Sequence, residues 1–326
     1  MNLRLILLCL GLGSAASGVA QLALEAFGEP FDGQNVEIIW QASPDQMPGS
    51  LGTFTVLPAA FSSEVVSNVI DLCRFKDEEK VRAIFRDVPA GKPASYQEPY
   101  PGKPVLGKSL RIVPANGYIN YLDPTASSPP GVPAQAVPSQ KQALELAIRL
   151  LPKLGIKEAD LAREPNSQEL AYLLTAKTNG RFDKGQKKAV EEVAARGVIL
   201  FRQVNGISFS GPSDSAGLRV EFGNNAQIKE LVVTWRNLKA EKPETVANRA
   251  EIIQAVKQGQ AVIRLPERFG NAAALKTLTI TQLRPYYFGM SGTEPQKRVF
   301  PYVMLVATAD TGITNFPVSL NCPILK

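Results

Sequence analysis

The sequence contains no histidine and little cysteine. None of its 326 residues is histidine, and only 3 are cysteine. Without an imidazole the chain has no Ser-His-Asp or Cys-His nucleophile, no histidine-ligated zinc and no histidine that titrates near neutral pH. The aspartate spacing of an EF-hand calcium loop is also missing. These absences exclude the commonest catalytic and metal-binding arrangements, and we expect neither a cofactor nor a metal.

Long blocks of one charge are absent as well. The chain has 36 Lys and Arg residues against 30 Asp and Glu residues, for a net charge of +6. Aromatic residues do not alternate with basic ones, as they do in a surface that stacks nucleobases. Beyond the N-terminal segment no stretch approaches the roughly 18 apolar residues of a membrane-spanning helix. We therefore expect no nucleic-acid partner and no membrane span after that segment.

The first twenty residues have the pattern of a secretory signal peptide. Arg4 precedes an apolar run, Leu5 to Leu12, and small residues then lead to Ala20. This order is typical of a Sec-type signal, which predicts a signal peptide over residues 1–20. The apolar run is too short for a membrane anchor, and Leu8 stands before Cys9 where a lipoprotein signal needs a small residue. The protein is therefore expected to be secreted, periplasmic or located at the cell surface.

Export would leave two cysteines, Cys73 and Cys322. Two thiols in an oxidising compartment can form one disulfide, so this pair is the disulfide candidate. The alternative is a pair of separate buried thiols, because Cys73 lies in an apolar run. A redox or metal site would need a CxxC spacing or more ligands, which the sequence does not have.

Composition and periodicity predict an α+β protein of two domains. The 44% of apolar residues suffices for a packed core, and residues 124–138 are rich in proline, which predicts a linker. It would separate an N-terminal α+β domain, 21–123, from a C-terminal α+β domain with a β-meander, 139–326. We expect antiparallel sheets with helices packed on one face.

Local signals place individual elements within these domains. Helical spacing of apolar residues predicts helices after Ser62 or Ser63 and after Ser139. Asn116-Gly117 and Asn205-Gly206 stand between alternating apolar residues and predict hairpins. Residues 185–195, rich in Lys, Glu and Ala, are interpreted as a basic helix.

Part of the second region resembles a known group of exported proteins. The segments Phe201 to Phe209 and Leu218 to Phe222, followed by Trp235-Arg236, resemble the hairpins of exported PepSY-like bacterial proteins. The resemblance extends over about residues 140–310 and has no diagnostic catalytic signature. It implies a non-enzymatic extracytoplasmic module, of a kind often associated with protease inhibition or signalling regulation.

One apparent motif is rejected on its context. Residues 102–109 match the phosphate-binding pattern GxxxxGK[ST]. That loop works only between a strand and a helix, whose N-terminus faces the phosphates. Here a proline-rich segment precedes the match, and the predicted hairpin around Asn116 follows it. We expect no nucleotide partner.

Two sets of residues are candidates for a site. The first set is aromatic: Tyr286 and Tyr287 would contact a ligand, with Tyr96 and Tyr100 as a second such pair, although alternate residues of such a run can equally fill a core. The second set consists of Glu29, Asp32 and Glu221, which would serve a hydrolase that works with carboxylates alone. Nothing in the sequence pairs these acids. The sequence identifies no catalytic, cofactor-binding or metal-binding residue.

The sequence therefore favours an exported, non-enzymatic binding or regulatory protein that acts through protein–protein interaction. Its partner would be another exported protein or a cell-surface polymer. The alternatives are an extracellular carboxylate-dependent hydrolase and a cell-surface structural or adhesion module.

Overall fold

The computed structural model describes residues 27–43, 47–59, 61–99, 107–129, 131–165, 167–183, 188–212, 215, 217–265 and 274–325. The predicted signal peptide lies outside these residues. The described chain divides into two compact units. Unit 1 is formed by the described residues of Met1–Leu51, Pro243–Pro285 and Phe300–Lys326, and unit 2 by those of Gly52–Lys242 and Tyr286–Val299.

The described residues contain four α-helices, each begun by a capping side chain. They are α1 (Ser63–Cys73), α2 (Glu78–Phe85), α3 (Gln140–Leu150) and α4 (Arg249–Lys257). The oxygen of the N-cap residue accepts a hydrogen bond from a backbone N–H of the first turn, which satisfies a donor that the helix itself leaves free. In α3 the caps are reciprocal, because Ser139 and Gln142 each bond the other's backbone. No helix in the described chain is long and apolar enough to cross a membrane.

Strands make up most of the regular structure. In chain order they are β1 (Glu29–Phe31), β2 (Glu37–Trp40), β3 (Ser50–Leu51), β4 (Phe54–Leu57), β5 (Ala94–Gln97), β6 (Ser109–Val113), β7 (Tyr118–Leu122), β8 (Tyr172–Asp183), β9 (Lys188–Phe201), β10 (Gln203–Val204), β11 (Ile207–Ser210), β12 (Gly217–Phe222), β13 (Ile228–Thr234), β14 (Asn237–Ala240), β15 (Glu244–Thr245), β16 (Ala261–Arg264), β17 (Thr277–Phe288), β18 (Arg298–Val299), β19 (Pro301–Asp310) and β20 (Asn315–Pro323).

Unit 2 is built on a seven-stranded antiparallel sheet. Its strand order is β5-β6-β7-β13-β12-β9-β8. Alternate side chains of these strands, among them Ile112 and Val220, share one buried apolar cluster with side chains from α1, α2 and α3. Ile70 of α1 and Ala147 of α3 lie in this cluster, 2% and 0% exposed. The burial of this apolar surface is the main stabilising term of the unit.

Six strands of unit 1 pair with one another in one sheet. The order of its strands is β1-β16-β20-β19-β17, and β2 pairs in parallel with residues 277–280 of β17. Strand β17 crosses the unit boundary after Pro285. The buried residues Leu305 and Leu320 stand opposite each other on β19 and β20. Ile252 and Val256 are the buried side chains of α4.

The predicted α+β class is wrong. The fold is mostly β, with 44% of its residues in strands and 21% in helices, and it contains several large antiparallel sheets. Residues 188–195, interpreted as part of a helix, belong to β9, which pairs with β8 on one side and continues along β12 on the other. Lys, Glu and Ala favour helices, but pairing of this segment with β8 overrides that weak local preference.

The compact units also differ from the predicted domains. Residues 124–138, predicted as a linker, lie within unit 2. The segment is held by hydrogen bonds: Ser128 Oγ donates to the Pro133 carbonyl at 2.8 Å, and the Gln135 N–H donates to Asn224 Oδ1 at 2.9 Å. The strands before and after it in the chain, β7 and β8, belong to one sheet. Proline content alone therefore does not mark a boundary here.

The turn predictions are confirmed. Gly117 has a φ of 60° between the antiparallel strands β6 and β7. Asn205 and Gly206, with φ of 52° and 76°, connect β10 and β11. Both turns use the left-handed backbone region that Gly and Asn tolerate.

The shared core of unit 2 makes a testable prediction about two isoleucines in helices. Ile70→Ala removes a buried side chain and should lower the free energy of unfolding by about 2–5 kcal/mol. Ile84→Ala in α2 is the control, because Ile84 is 39% exposed and its loss should cost less than about 1 kcal/mol. Urea denaturation of both variants measures the difference, and equal losses would contradict the described core.

Candidate functional site

Helix α3 forms one wall of the candidate site. Ala143, Ala147 and Leu150 recur at helical spacing and are buried, which turns the opposite side of the helix outward. Glu145 and Arg149 lie on the exposed side. The reciprocal cap at Ser139 fixes where the helix starts, and hence which residues face outward.

Two adjoining cavities lie along this helix within unit 2. The inner cavity has a volume of about 540 Å³ and the outer cavity about 650 Å³. The inner cavity is lined by Asp71, Leu72, Cys73, Arg74, Lys108, Tyr121, Asp123, Leu150, Lys153, Phe222, Gln227 and Ile228. The outer cavity is lined by Ala136, Val137, Pro138, Gln142 and Glu145. Leu146, Arg149, Asn225 and Ala226 line both, and we call the two cavities together the α3 groove.

The backbone around the groove is unusual. Among the described residues, five that are not glycine have a positive φ, and four of them line the groove: Arg74 at 49°, Ala136 at 46°, Asn225 at 52° and Ala226 at 55°. Arg74 is the C-cap of α1, Asn225 and Ala226 lie in the turn between β12 and β13, and the fifth, Asn205, lies in the turn between β10 and β11. A residue with a Cβ atom has a steric cost in this region, which asparagine tolerates better than alanine or arginine. Such strain persists only where the surrounding structure imposes it, and it clusters at ligand sites.

Hydrogen bonds hold this strained backbone in place. The Asn225 N–H donates to the Gln135 carbonyl at 2.8 Å, and Asn224 Oδ1 accepts from the Gln135 N–H at 2.9 Å. Within the turn, the Gly223 N–H donates to the Gln227 carbonyl at 2.9 Å. The turn after β12 and the segment before α3 are thereby tied together across the outer cavity.

The inner end of the groove is organised by Lys108. Its Nζ donates to the carbonyls of Cys73 at 3.0 Å and Arg74 at 2.8 Å, where α1 ends. A cation suits this position because the last carbonyls of a helix have no intrahelical partner. Asp123 lies 3.6 Å from the same Nζ, and the Tyr121 hydroxyl donates to the Cys73 carbonyl at 3.0 Å. The lysine of the rejected phosphate motif thus caps a helix, and Ser109 after it begins a strand.

Both candidate disulfide residues are free and buried. Burial raises the pKa of the Cys73 thiol well above its ordinary value, despite the opposing effect of Lys108. Burial also raises the pKa of Cys322 to about 12. Each side chain fills part of the interior of its own unit, 1% and 0% exposed. The structure therefore has two separate buried thiols in place of the candidate disulfide.

Some of the charged side chains that line the inner cavity form ion pairs, and others do not. Asp71 pairs with Arg82, and Asp123 pairs with Lys108. Arg149 and Lys153 are exposed and form no ion pair with any described residue. The inner cavity therefore has unpaired cations and no unpaired anion within the described lining.

The aromatic candidates do not form an open rim. Tyr286 and Tyr287 are 4% and 0% exposed. The ring of Tyr287 packs edge-on against Phe54, with centroids 5.1 Å apart, and against Phe209 at 5.5 Å. The two tyrosines are interior residues, and because adjacent residues of a strand point to opposite faces, both faces of β17 are covered at this position. Tyr96 packs against Phe75, and Tyr100 lies outside the described residues.

The structure also describes the surroundings of the acidic candidates, Glu221, Glu29 and Asp32. Glu221 of β12 is 6% exposed, and its carboxylate lies 2.7 Å from the Nζ of both Lys177 and Lys229. Burial raises the pKa of Glu221, but the hydrogen bonds and charges of the two lysines lower it by a larger amount. The resulting pKa of Glu221 lies below its ordinary value. Glu29 and Asp32 belong to unit 1, whereas Glu221 belongs to unit 2. Glu221 is therefore a charge-paired structural residue.

Metal ligands do not cluster in the described part of the chain. No group of three or more His, Cys, Asp or Glu side chains there is arranged to hold an ion.

Comparison with known proteins adds one structural likeness. No family model and no curated protein matches the chain. Among solved structures, the chain is similar to an uncharacterized protein from Eubacterium rectale, with 12% sequence identity and a TM-score of 0.40 over 92% of this chain and 94% of that one. A likeness of this extent carries no argument about function.

The pairing of Glu221 makes a testable prediction. Glu221→Gln leaves Lys229, itself 19% exposed, without its partner, and should lower the free energy of unfolding at pH 7 by about 1–3 kcal/mol. Because the folded pKa lies below the unfolded value of 4.5, the stabilisation is present above that pH and is lost as the pH falls. The difference between wild type and variant should therefore shrink in acid.

Urea denaturation between pH 3 and 7 measures this effect. Glu145→Gln is the matched control, since Glu145 is exposed and forms no ion pair with a described residue, and it should leave stability unchanged. Equal stability of the two variants at pH 7 would contradict a structural role for Glu221.

Proposed function

We propose that this chain is an exported, non-enzymatic binding or regulatory protein that holds a segment of another exported protein in the α3 groove. The N-terminal signal pattern supports export. One observation carries the binding function: four of the five left-handed residues other than glycine in the described chain line this groove.

Strain of this kind favours binding because it fixes the groove before a ligand arrives. Each residue in a sparsely populated backbone region costs on the order of 1–3 kcal/mol. A site whose shape is already set loses little conformational entropy when a ligand binds. The volumes of the two cavities, about 540 and 650 Å³, lie in the range of small-molecule binding pockets, roughly 300–1,000 Å³.

The reactive groups near the groove favour binding over catalysis. The raised pKa of Cys73 keeps its sulfur as a thiol, which is a poor nucleophile. Burial raises the pKa of Tyr121, whose hydroxyl is engaged by the Cys73 carbonyl. Asp123 accepts hydrogen bonds from the N–H and the hydroxyl of Thr125. The hydrogen bonds of Tyr121 and Asp123 stabilise the end of α1 and the start of residues 124–138.

The PepSY-like resemblance supports the same proposal, since it implies regulation through protein contact. The partner under this proposal is an exported protein, and the bound part of it is a short polypeptide segment.

A bulky substitution in the groove tests this function. Gln227 lines the inner cavity and is exposed, and its side chain forms no hydrogen bond with a described residue. Gln227→Trp should therefore obstruct the groove without disturbing the core. Full-length protein and variant are immobilised and incubated with the exported proteins of the cells that make it, and bound proteins are quantified by mass spectrometry.

Gln168→Trp is the matched control, because Gln168 is exposed in the same unit and lies outside the groove lining. A partner should be retained by wild type and by the control, and its recovery should fall about tenfold or more with Gln227→Trp, a loss of roughly 1.4 kcal/mol. Identical recovery by all three proteins would contradict the proposed site.

A further inference from the structure

The charges and apolar residues of the α3 groove narrow the chemistry of its ligand, on the assumption that the proposed function holds. We propose that the groove binds an acidic polypeptide segment that also carries a large apolar side chain. Carboxylates of the segment lie against Arg149 and Lys153, and the apolar side chain enters the inner cavity.

Arginine and lysine side chains line the groove where carboxylates of the segment would lie. Arg149 lines both cavities, and Lys153 lines the inner one four residues later. Arg74 lines the inner cavity from the end of α1, held there by the bond from Lys108 to its carbonyl. Arg149 and Lys153 have no carboxylate partner among the described residues, so a ligand carboxylate would meet cations whose charge is not already neutralised. An arginine also binds a carboxylate through two parallel hydrogen bonds.

Part of the inner cavity is apolar. It is lined by Leu72, Leu146, Leu150, Phe222 and Ile228. These residues belong to the core of unit 2 or pack against it, so the walls are firm. A large aliphatic or aromatic side chain would bury apolar surface there, at about 25 cal/mol for each Å² removed from water.

Glu145 determines at which end of the groove the acidic residues of the bound segment lie. It lines the outer cavity, four residues before Arg149, and forms no ion pair with a described residue. A carboxylate placed in the outer cavity would be repelled by it. The acidic residues of the ligand therefore belong at the inner end of the groove.

Fluorescence anisotropy with three labelled peptides tests this assignment on the full chain. The first alternates Glu and Leu, the second replaces Glu by Gln, and the third keeps Glu and replaces Leu by Ser. The first should bind about tenfold more tightly than either of the others, because each lacks one of the two contacts. Its affinity should also fall as salt is raised, since the charge contact is exposed.

Charge-reversal variants locate the contact. Arg149→Glu combined with Lys153→Glu should weaken binding of the first peptide at least about tenfold, while Glu145→Gln should strengthen it. Lys157→Glu combined with Lys239→Glu is the control, because it changes the net charge equally at exposed positions outside the groove lining. Thermal melts accompany each variant, and Arg149→Gln with Lys153→Gln replaces the reversal if that variant does not fold.

Several results would overturn the assignment. Equal binding of the three peptides, or equal loss with the control variant, would show that the specific contacts are absent. Displacement of the peptide by an equimolar amount of inorganic phosphate would indicate a simple anion site. Self-association of the wild-type chain that Gln227→Trp abolishes would make a second copy the occupant.

The experiments distinguish a failure of this assignment from a failure of the proposed function. If Gln227→Trp abolishes capture of a partner but wild type binds none of the peptides, the groove is a binding site and the ligand chemistry is wrong. If Gln227→Trp retains both the partner and the first peptide, the groove is not the site and both proposals fail.

Discussion

Residues 118–122 of β7 pair antiparallel with residues 230–234 of β13, and unit 2 depends on this pairing. It is prolonged by the Asp123 N–H, which donates to the Lys229 carbonyl at 2.7 Å. Because β7 leads into residues 124–138 and the turn at Asn225 leads into β13, the pairing brings these two segments together. They form one side of the outer cavity, and α3 begins directly after the first of them. Without this long-range pairing the groove would have no second wall.

The same arrangement explains why the groove is strained and why it is charged. Ala136 and Ala226 adopt left-handed backbone because the bonds between Gln135 and the turn at Asn224 hold them there. Lys108 satisfies the carbonyls at the end of α1 and neutralises Asp123. That internal pairing leaves Arg74, Arg149 and Lys153 as the cations of the described lining that are available to a ligand. Rigidity and charge thus arise from separate hydrogen-bond networks at the two ends of one groove.

Local sequence signals predicted local structure well. The cap at Ser139 and the turns at Gly117 and Asn205-Gly206 depend on a few neighbouring residues, and each is where the pattern places it. The predicted fold class was wrong because strands dominate the fold, and residues 188–195, which favour a helix locally but pair as a strand with β8, are one example. The groove could not be predicted, since it depends on the distant β7–β13 pairing, and alanines such as Ala226 carry no signal for a left-handed backbone. Tyr286 and Tyr287 show a related limit: an aromatic run predicts a ligand surface and a buried strand equally well.

Backbone amide hydrogen exchange of the full chain, alone and with its captured partner, tests the central claim most directly. If the α3 groove is the binding site, amides of residues 136–142 and 224–228 should exchange more slowly in the complex, because the partner shields the outer cavity and stabilises its strained backbone. The remainder of unit 2 should change little, since the groove is formed in advance. Slower exchange confined to another surface, such as the edge strand β8, with no change at these two segments would contradict the account.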